Sequence, residues 1–110
     1  MAIKDLTKIR KHLFLCNGGS CKLLGAEEST AAVRAAIEEC GLTDEIHTTK
    51  TFCNGRCKDG PIIISQPDGI WFKKIVKEKA EGFVWQYLAE QLVPMDKVLY
   101  KYGEDVIDVA

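Results

Sequence analysis

Two pairs of cysteines constrain this chain more than any other feature. Cys16 and Cys21 enclose Asn17-Gly18-Gly19-Ser20, while Cys53 and Cys57 enclose Asn54-Gly55-Arg56. Gly and Asn at these positions mark both segments as loops. Each loop follows a segment that reads as a strand. His12-Leu13-Phe14-Leu15-Cys16 is short and apolar, and Glu45 to Phe52 alternates with β-branched residues, as a strand with one buried face does. Two adjacent strands ending together would therefore gather four sulfurs at one end of a sheet. Five cysteines in 110 residues, behind an N-terminus with no apolar leader and cleavage site, point to metal ligands or redox groups in a reducing compartment, not to disulfides.

The remaining elements are legible around these loops. Ser29 is the expected N-cap of an Ala-rich helix with Val33, Ile37 and Cys40 on one side, and Gly41 is its stop. Ile62-Ile63-Ile64 reads as a buried strand, Gln66-Pro67-Asp68-Gly69 as a turn, and Ile70 to Ile75 as the returning strand of a hairpin. From about Lys77 to Val93, Ala80, Phe83, Val84, Tyr87, Leu88 and Leu92 make a helical apolar stripe that tolerates Gly82 and stops at Pro94. The tail, residues 94–110, is expected to be a short helix or an arm packed on a partner. With no repeat or linker, this is one domain over residues 1–110 with its core at about 10–93. The order βαβββα suits an α/β (α+β) fold in which helices pack on a small mixed sheet.

Three site chemistries fit four thiolates in two loops. A 2Fe-2S cluster needs two thiolates per iron and backbone N–H groups aimed at sulfur, and Gly18, Gly19 and Gly55 permit that close approach. A tetrahedral zinc site could use the same ligands as a staple for a binding module, although its pairs are more often two residues apart. A dithiol redox centre is disfavoured because no C-x-x-C occurs. Cys40, on the apolar side of its helix, reads as a small core residue. His12 and His47 read as ordinary strand residues, and Trp71, Phe72, Phe83 and Trp85 as packing residues and not an electron path. Lys22, Arg56 and Lys58 adjoin the loops and are candidates for docking an acidic partner or for tuning a potential.

The motif Cys16-Asn17-Gly18-Gly19-Ser20-Cys21, with Cys53-Asn54-Gly55-Arg56-Cys57 running into Gly60-Pro61 and an Ile-rich strand, resembles the thioredoxin-like 2Fe-2S ferredoxins. It is also similar to the cluster domain of the small iron-sulfur subunit of NADH dehydrogenase and of NAD-linked hydrogenases. The likeness spans roughly residues 10 to 93. It implies a thioredoxin-like fold, a 2Fe-2S cofactor held by Cys16, Cys21, Cys53 and Cys57, and one-electron outer-sphere transfer to redox partner proteins with all four ligands retained. The x4 spacing of the first loop is closer to the complex-subunit type, but the chain has no room for the helical N-terminal domain common there. A free ferredoxin is therefore expected in preference to a complex subunit, and a homodimer is a state open to such a chain.

The remaining functions are narrowed by what the chain lacks. A net charge of −1 gives no global attraction to nucleic acid or anionic membranes. No apolar run approaches the roughly 20 residues of a membrane span, so a soluble, cytoplasmic protein is expected. No Ser-His-Asp set, paired-carboxylate motif or phosphate loop is evident, which favours an electron-transfer protein over an enzyme with substrate chemistry of its own.

Overall fold

A computed structural model describes residues 4–18 and 23–104, with Cys57 described by its backbone alone. Five strands, β1 (Lys11–Cys16), β2 (Ile46–Thr51), β3 (Ile63–Gln66), β4 (Ile70–Phe72) and β5 (Val98–Lys101), form one sheet in the order β2-β1-β3-β4-β5. β1 and β2 are parallel, with Cys16 opposite Thr51, and every other pair is antiparallel. Helix α1 (Ala26–Glu39) makes the crossover from β1 to β2, the connection that parallel neighbours require. Helix α2 (Lys77–Phe83) continues through a wider π-helical turn over Val84–Ala89.

Both helices pack on one face of the sheet. Leu13, Leu15, Ile63, Ile70 and Phe72 from the strands meet Val33, Ala36 and Ile37 of α1 and Ala80, Phe83, Val84, Tyr87 and Leu88 of the α2 segment. Phe72 lies edge-on to both Phe83 and Tyr87, with ring centroids 4.8 and 4.9 Å away, a favourable arrangement of aromatic quadrupoles. On the other face, Phe14 and Trp71 pack partly buried against Ile64 and Leu99. Strand alternation accounts for the division, since Phe14 and Cys16 point away from the helices that Leu13 and Leu15 face.

A polar knot secures the far end of the sheet. The hydroxyl of the buried Tyr87 donates to Asp68 and accepts from Ser65 (2.6 Å), and Lys11 is ion-paired with Asp68. Burial and the Asp68 carboxylate hold the Tyr87 phenol well above its ordinary range, so it stays neutral and donating.

Three sequence expectations need correction. Helix α1 starts at Ala26 after Gly25, whose φ of +92° suits a residue without Cβ. Ser29 is inside the helix and buried, its hydroxyl donating to the Ile75 carbonyl and so tying the helix to the chain beyond β4. Gly41, at φ +71°, does follow the helix end as expected. The second helix ends at Ala89, and Leu92 is exposed because Gln91 turns the chain with φ +59°. Finally, among the described residues of the tail only Met95–Lys97 is helical, as one 3-10 turn. Val98–Lys101 is an edge strand whose Leu99 is buried.

Candidate metal centre

β1 and β2 run side by side in the same direction, so both loops emerge at one end of the sheet. Their backbones interlock there. The Cys16 N–H donates to the Ile62 carbonyl (3.1 Å), and the Asn17 N–H donates to the Thr51 carbonyl (2.9 Å), which carries the β1–β2 ladder one step beyond the strand. The Cys16 thiol lies 3.4 Å from the Phe52 carbonyl, one residue before Cys53. Gly18 completes the junction: a Cβ built on it would fall 2.8 Å from Cα and Cβ of Cys53 and 2.9 Å from its nitrogen. Only glycine lets the first loop lie this close to the backbone of the second.

Both loops start with Cys-Asn-Gly, and each asparagine does the same work. Asn17 Nδ2 donates to the carbonyl of Leu15 (3.0 Å) and to the Thr30 hydroxyl (3.1 Å). Asn54 Nδ2 donates to the carbonyl of Phe52 (3.2 Å) and to the Thr51 hydroxyl (2.7 Å). In each case the amide reaches back to the residue preceding the cysteine and closes the turn from strand into loop. This repetition is visible in the sequence as the twice-used tripeptide, although its clamping role follows only from the hydrogen bonds of the fold.

The cysteines differ in setting. Cys16 is 2% exposed, whereas Cys53 is on the surface with its sulfur accepting the Gly55 N–H at 3.3 Å. Cys21 lies outside the described residues. The backbone of Cys57 begins a 3-10 turn, Cys57–Asp59, that is tied to the end of the hairpin by the Lys74 N–H on the Asp59 carbonyl (2.8 Å). Cys40 is away from both loops, packed at the edge of the main core, and its thiol is pushed up by burial and by the carboxylates of Glu39 and Glu81. It has the setting of an inert thiol. Arg56, expected as a docking or tuning cation, is turned onto Asp59, with Nη2 at 2.8 Å and Nε at 3.0 Å.

No family model matches the chain. It is 38% identical over 100 residues to a protein of Priestia megaterium named "Putative 2Fe-2S ferredoxin", covering 91% of this chain and 78% of that one. The chain belongs to the thioredoxin-like 2Fe-2S ferredoxins. A 2Fe-2S ferredoxin of Aquifex aeolicus is 29% identical over 89 residues, covering 71% of this chain and 78% of that protein. The solved structure of a thioredoxin-like 2Fe-2S ferredoxin from Aquifex aeolicus superposes with a TM-score of 0.81 at 25% identity, over 91% of this chain and 99% of that one. The mixed sheet with helices on one face is thus the ferredoxin's thioredoxin-like fold, as the sequence resemblance implied.

The described residues suit such a cofactor. Cys16 and Cys53 are brought to one pole by interlocked backbones, a main-chain N–H already addresses the Cys53 sulfur, and glycine removes the Cβ that would hold the loops apart. Amide donors at sulfur offset the negative charge of thiolate ligands.

Proposed function

We propose that this protein is a one-electron carrier that holds a single 2Fe-2S cluster on Cys16, Cys21, Cys53 and Cys57. The observation that supports the proposal is the close approach of Gly18 to the Cys53 backbone, which brings together two loops distant in sequence. When bound, a 2Fe-2S cluster supplies one-electron oxidation and reduction. The residues around it hold, insulate and address it. Cys16 is buried beneath the sheet end, the Gly55 N–H stabilises negative charge on the Cys53 sulfur, and Asn17 and Asn54 fix the backbone from which both sulfurs project. The chain works as a single domain between redox partner proteins in the cytoplasm and has no substrate chemistry of its own. Among the described residues no helix is long and apolar enough to cross a membrane.

Iron and acid-labile sulfide analysis, with EPR after reduction, tests this reading. About two irons and two sulfides per chain and a signal in the reduced state are expected. Ser in place of Cys16, Cys21, Cys53 or Cys57 should each diminish the cluster, while Cys40→Ser leaves its spectrum intact. A colourless protein with one zinc would identify a stapled binding module instead.

A further inference from the structure

The two sides of the site differ in what they present to a partner. On the first, Cys16 and Asn17 are buried among Leu15, Ile62 and Thr30. On the second, Cys53 is at the surface and the preceding residue, Phe52, exposes 90% of its area. Phe52 is not exposed because its chain is loosely held. Its carbonyl lies 3.4 Å from the Cys16 thiol and accepts from the Thr51 hydroxyl (3.0 Å) and the Asn54 amide (3.2 Å). The backbone is fixed, and the fixed backbone holds the ring outward. Leu23, two residues after Cys21, exposes 89%. An aromatic ring carried into solvent on a fixed backbone, whose main chain has little ordering left to lose, has the properties of an interface anchor.

The charges nearby select the occupant. In the segment from Lys50 to Gly60 the exposed cations are Lys50 and Lys58, while the acid, Asp59, is occupied by Arg56. Leaving aside the cysteines, the side chains of this segment therefore carry a positive charge that flanks the site, on a molecule whose formal total is −1. Resting on the electron-carrier reading, we propose that the Cys53 side is the docking face and that Phe52 anchors it in a redox partner whose surface offers an apolar recess rimmed by carboxylates. Lys50 and Lys58 steer the approach, the ring sets the bound register, and the exposed Cys53 then lies on the face that meets the partner.

The test uses the cluster-loaded protein, reduced with dithionite, and oxidised cytochrome b5 as an acidic acceptor with an exposed apolar haem edge. Second-order rates are measured by stopped flow at several salt concentrations. Phe52→Ala should slow transfer by about tenfold, the order expected for loss of an aromatic hot spot, while Phe52→Leu keeps most of the rate and Trp85→Ala, which removes an exposed aromatic on the helical side, keeps all of it. The rate should fall as salt rises, and less steeply in Lys50→Gln/Lys58→Gln. An undiminished rate in Phe52→Ala overturns the proposal. So does a shifted EPR signal or potential in that variant, which would make the ring a shield for the cluster. A dimer that Phe52→Ala converts to monomer would assign the ring to a second copy of the chain and likewise overturn it. Absence of a cluster from the parent protein would instead refute the carrier reading, before any rate is measured.

Discussion

The Cys16 and Cys53 loops open with the same three residues and the same asparagine clamp, yet one is built into the protein and the other onto it. Asn17 is buried and bonded to a helix residue, Thr30. Asn54 is partly exposed and bonded only within its own segment. The described start of the first loop, Cys16 to Gly18, is therefore held by the core, and the second loop by local hydrogen bonds and by its approach to Gly18. An identical local sequence is given two mechanical roles by what surrounds it: an insulating wall and an accessible edge.

Gly18→Ala should break this arrangement most severely. Its Cβ would meet Cys53 main-chain atoms 2.8 to 2.9 Å away, which no rotamer change can relieve. A stability loss of about 1 to 3 kcal/mol is expected from overpacking, and the parted loops should hold less than half the parental iron. Gly55→Ala meets nothing within 4 Å but forces φ +88° on an L-residue, costing about 1 to 2 kcal/mol with the cluster retained. Iron content and urea denaturation compare them, and a greater iron loss in Gly55→Ala would reverse the assignment of roles.

The asparagines sharpen the contrast at smaller amplitude. Asn17→Ala removes buried bonds to the Leu15 carbonyl and the Thr30 hydroxyl and should cost about 1 to 2 kcal/mol, whereas water can replace the bonds lost in Asn54→Ala, for about 0.5 kcal/mol. Asn17 Oδ1 has no partner among the described residues, which lowers the first value. Equal losses in urea melts of the cluster-free proteins would show that burial does not separate the loops.

Much of this design could be read from the chain before its structure. The strands ending at Cys16 and next to Cys53, the turn at Gln66–Gly69 and the stop at Gly41 follow from local chemistry, and local chemistry prevails there. Where tertiary partners decide, the sequence was silent. Ser29 has the composition of a cap, but the Ile75 carbonyl draws it inward and the helix begins a turn earlier. Val98 to Lys101 mixes apolar and charged residues, and becomes a strand because β4 offers an edge to pair with. Phe52 continues the alternation of β2, which carries no signal that the next position leaves the sheet with its ring in solvent. The close contact of Gly18 with Cys53 joins two loops that no local pattern relates.

Charge on the exposed loop should register in the potential. At a separation of about 8 Å and an effective dielectric of about 40 to 80, one unit charge contributes about 0.5 to 1 kcal/mol, so Arg56→Gln should lower the potential by roughly 20 to 45 mV at low salt. Arg56 is paired with Asp59, so removing both charges in Arg56→Gln/Asp59→Asn should return it close to the parent value. Film voltammetry measures both. A potential as low in the double variant as in the single would mean that Arg56 acts through the shape of the loop.

The smallest effect concerns the other end of the same strands. His12 stacks on Phe14 at 4.2 Å, lies 4.6 Å from His47, and has its pKa lowered by burial and then by His47. A histidine harder to protonate when folded leaves stability intact above its unfolded pKa of about 6.5 and erodes it as pH falls below that value. His12→Gln should flatten the decline in urea midpoint between about pH 7 and pH 5 while the cluster spectrum is unchanged. An unaltered slope would place the pH sensitivity elsewhere.

The parallel pairing of β1 with β2 also bears on how the protein is made. Parallel neighbours cannot be joined by a tight turn, and here the whole of α1 must be laid across the sheet before Thr51 comes opposite Cys16. Until that long-range closure is complete, the two cysteine loops are separate ends of an open chain, and closure of this kind is the slow part of acquiring such a topology. A cofactor that spans both loops is therefore gained with, or after, this closure, so its capture reports on a long-range step of the fold.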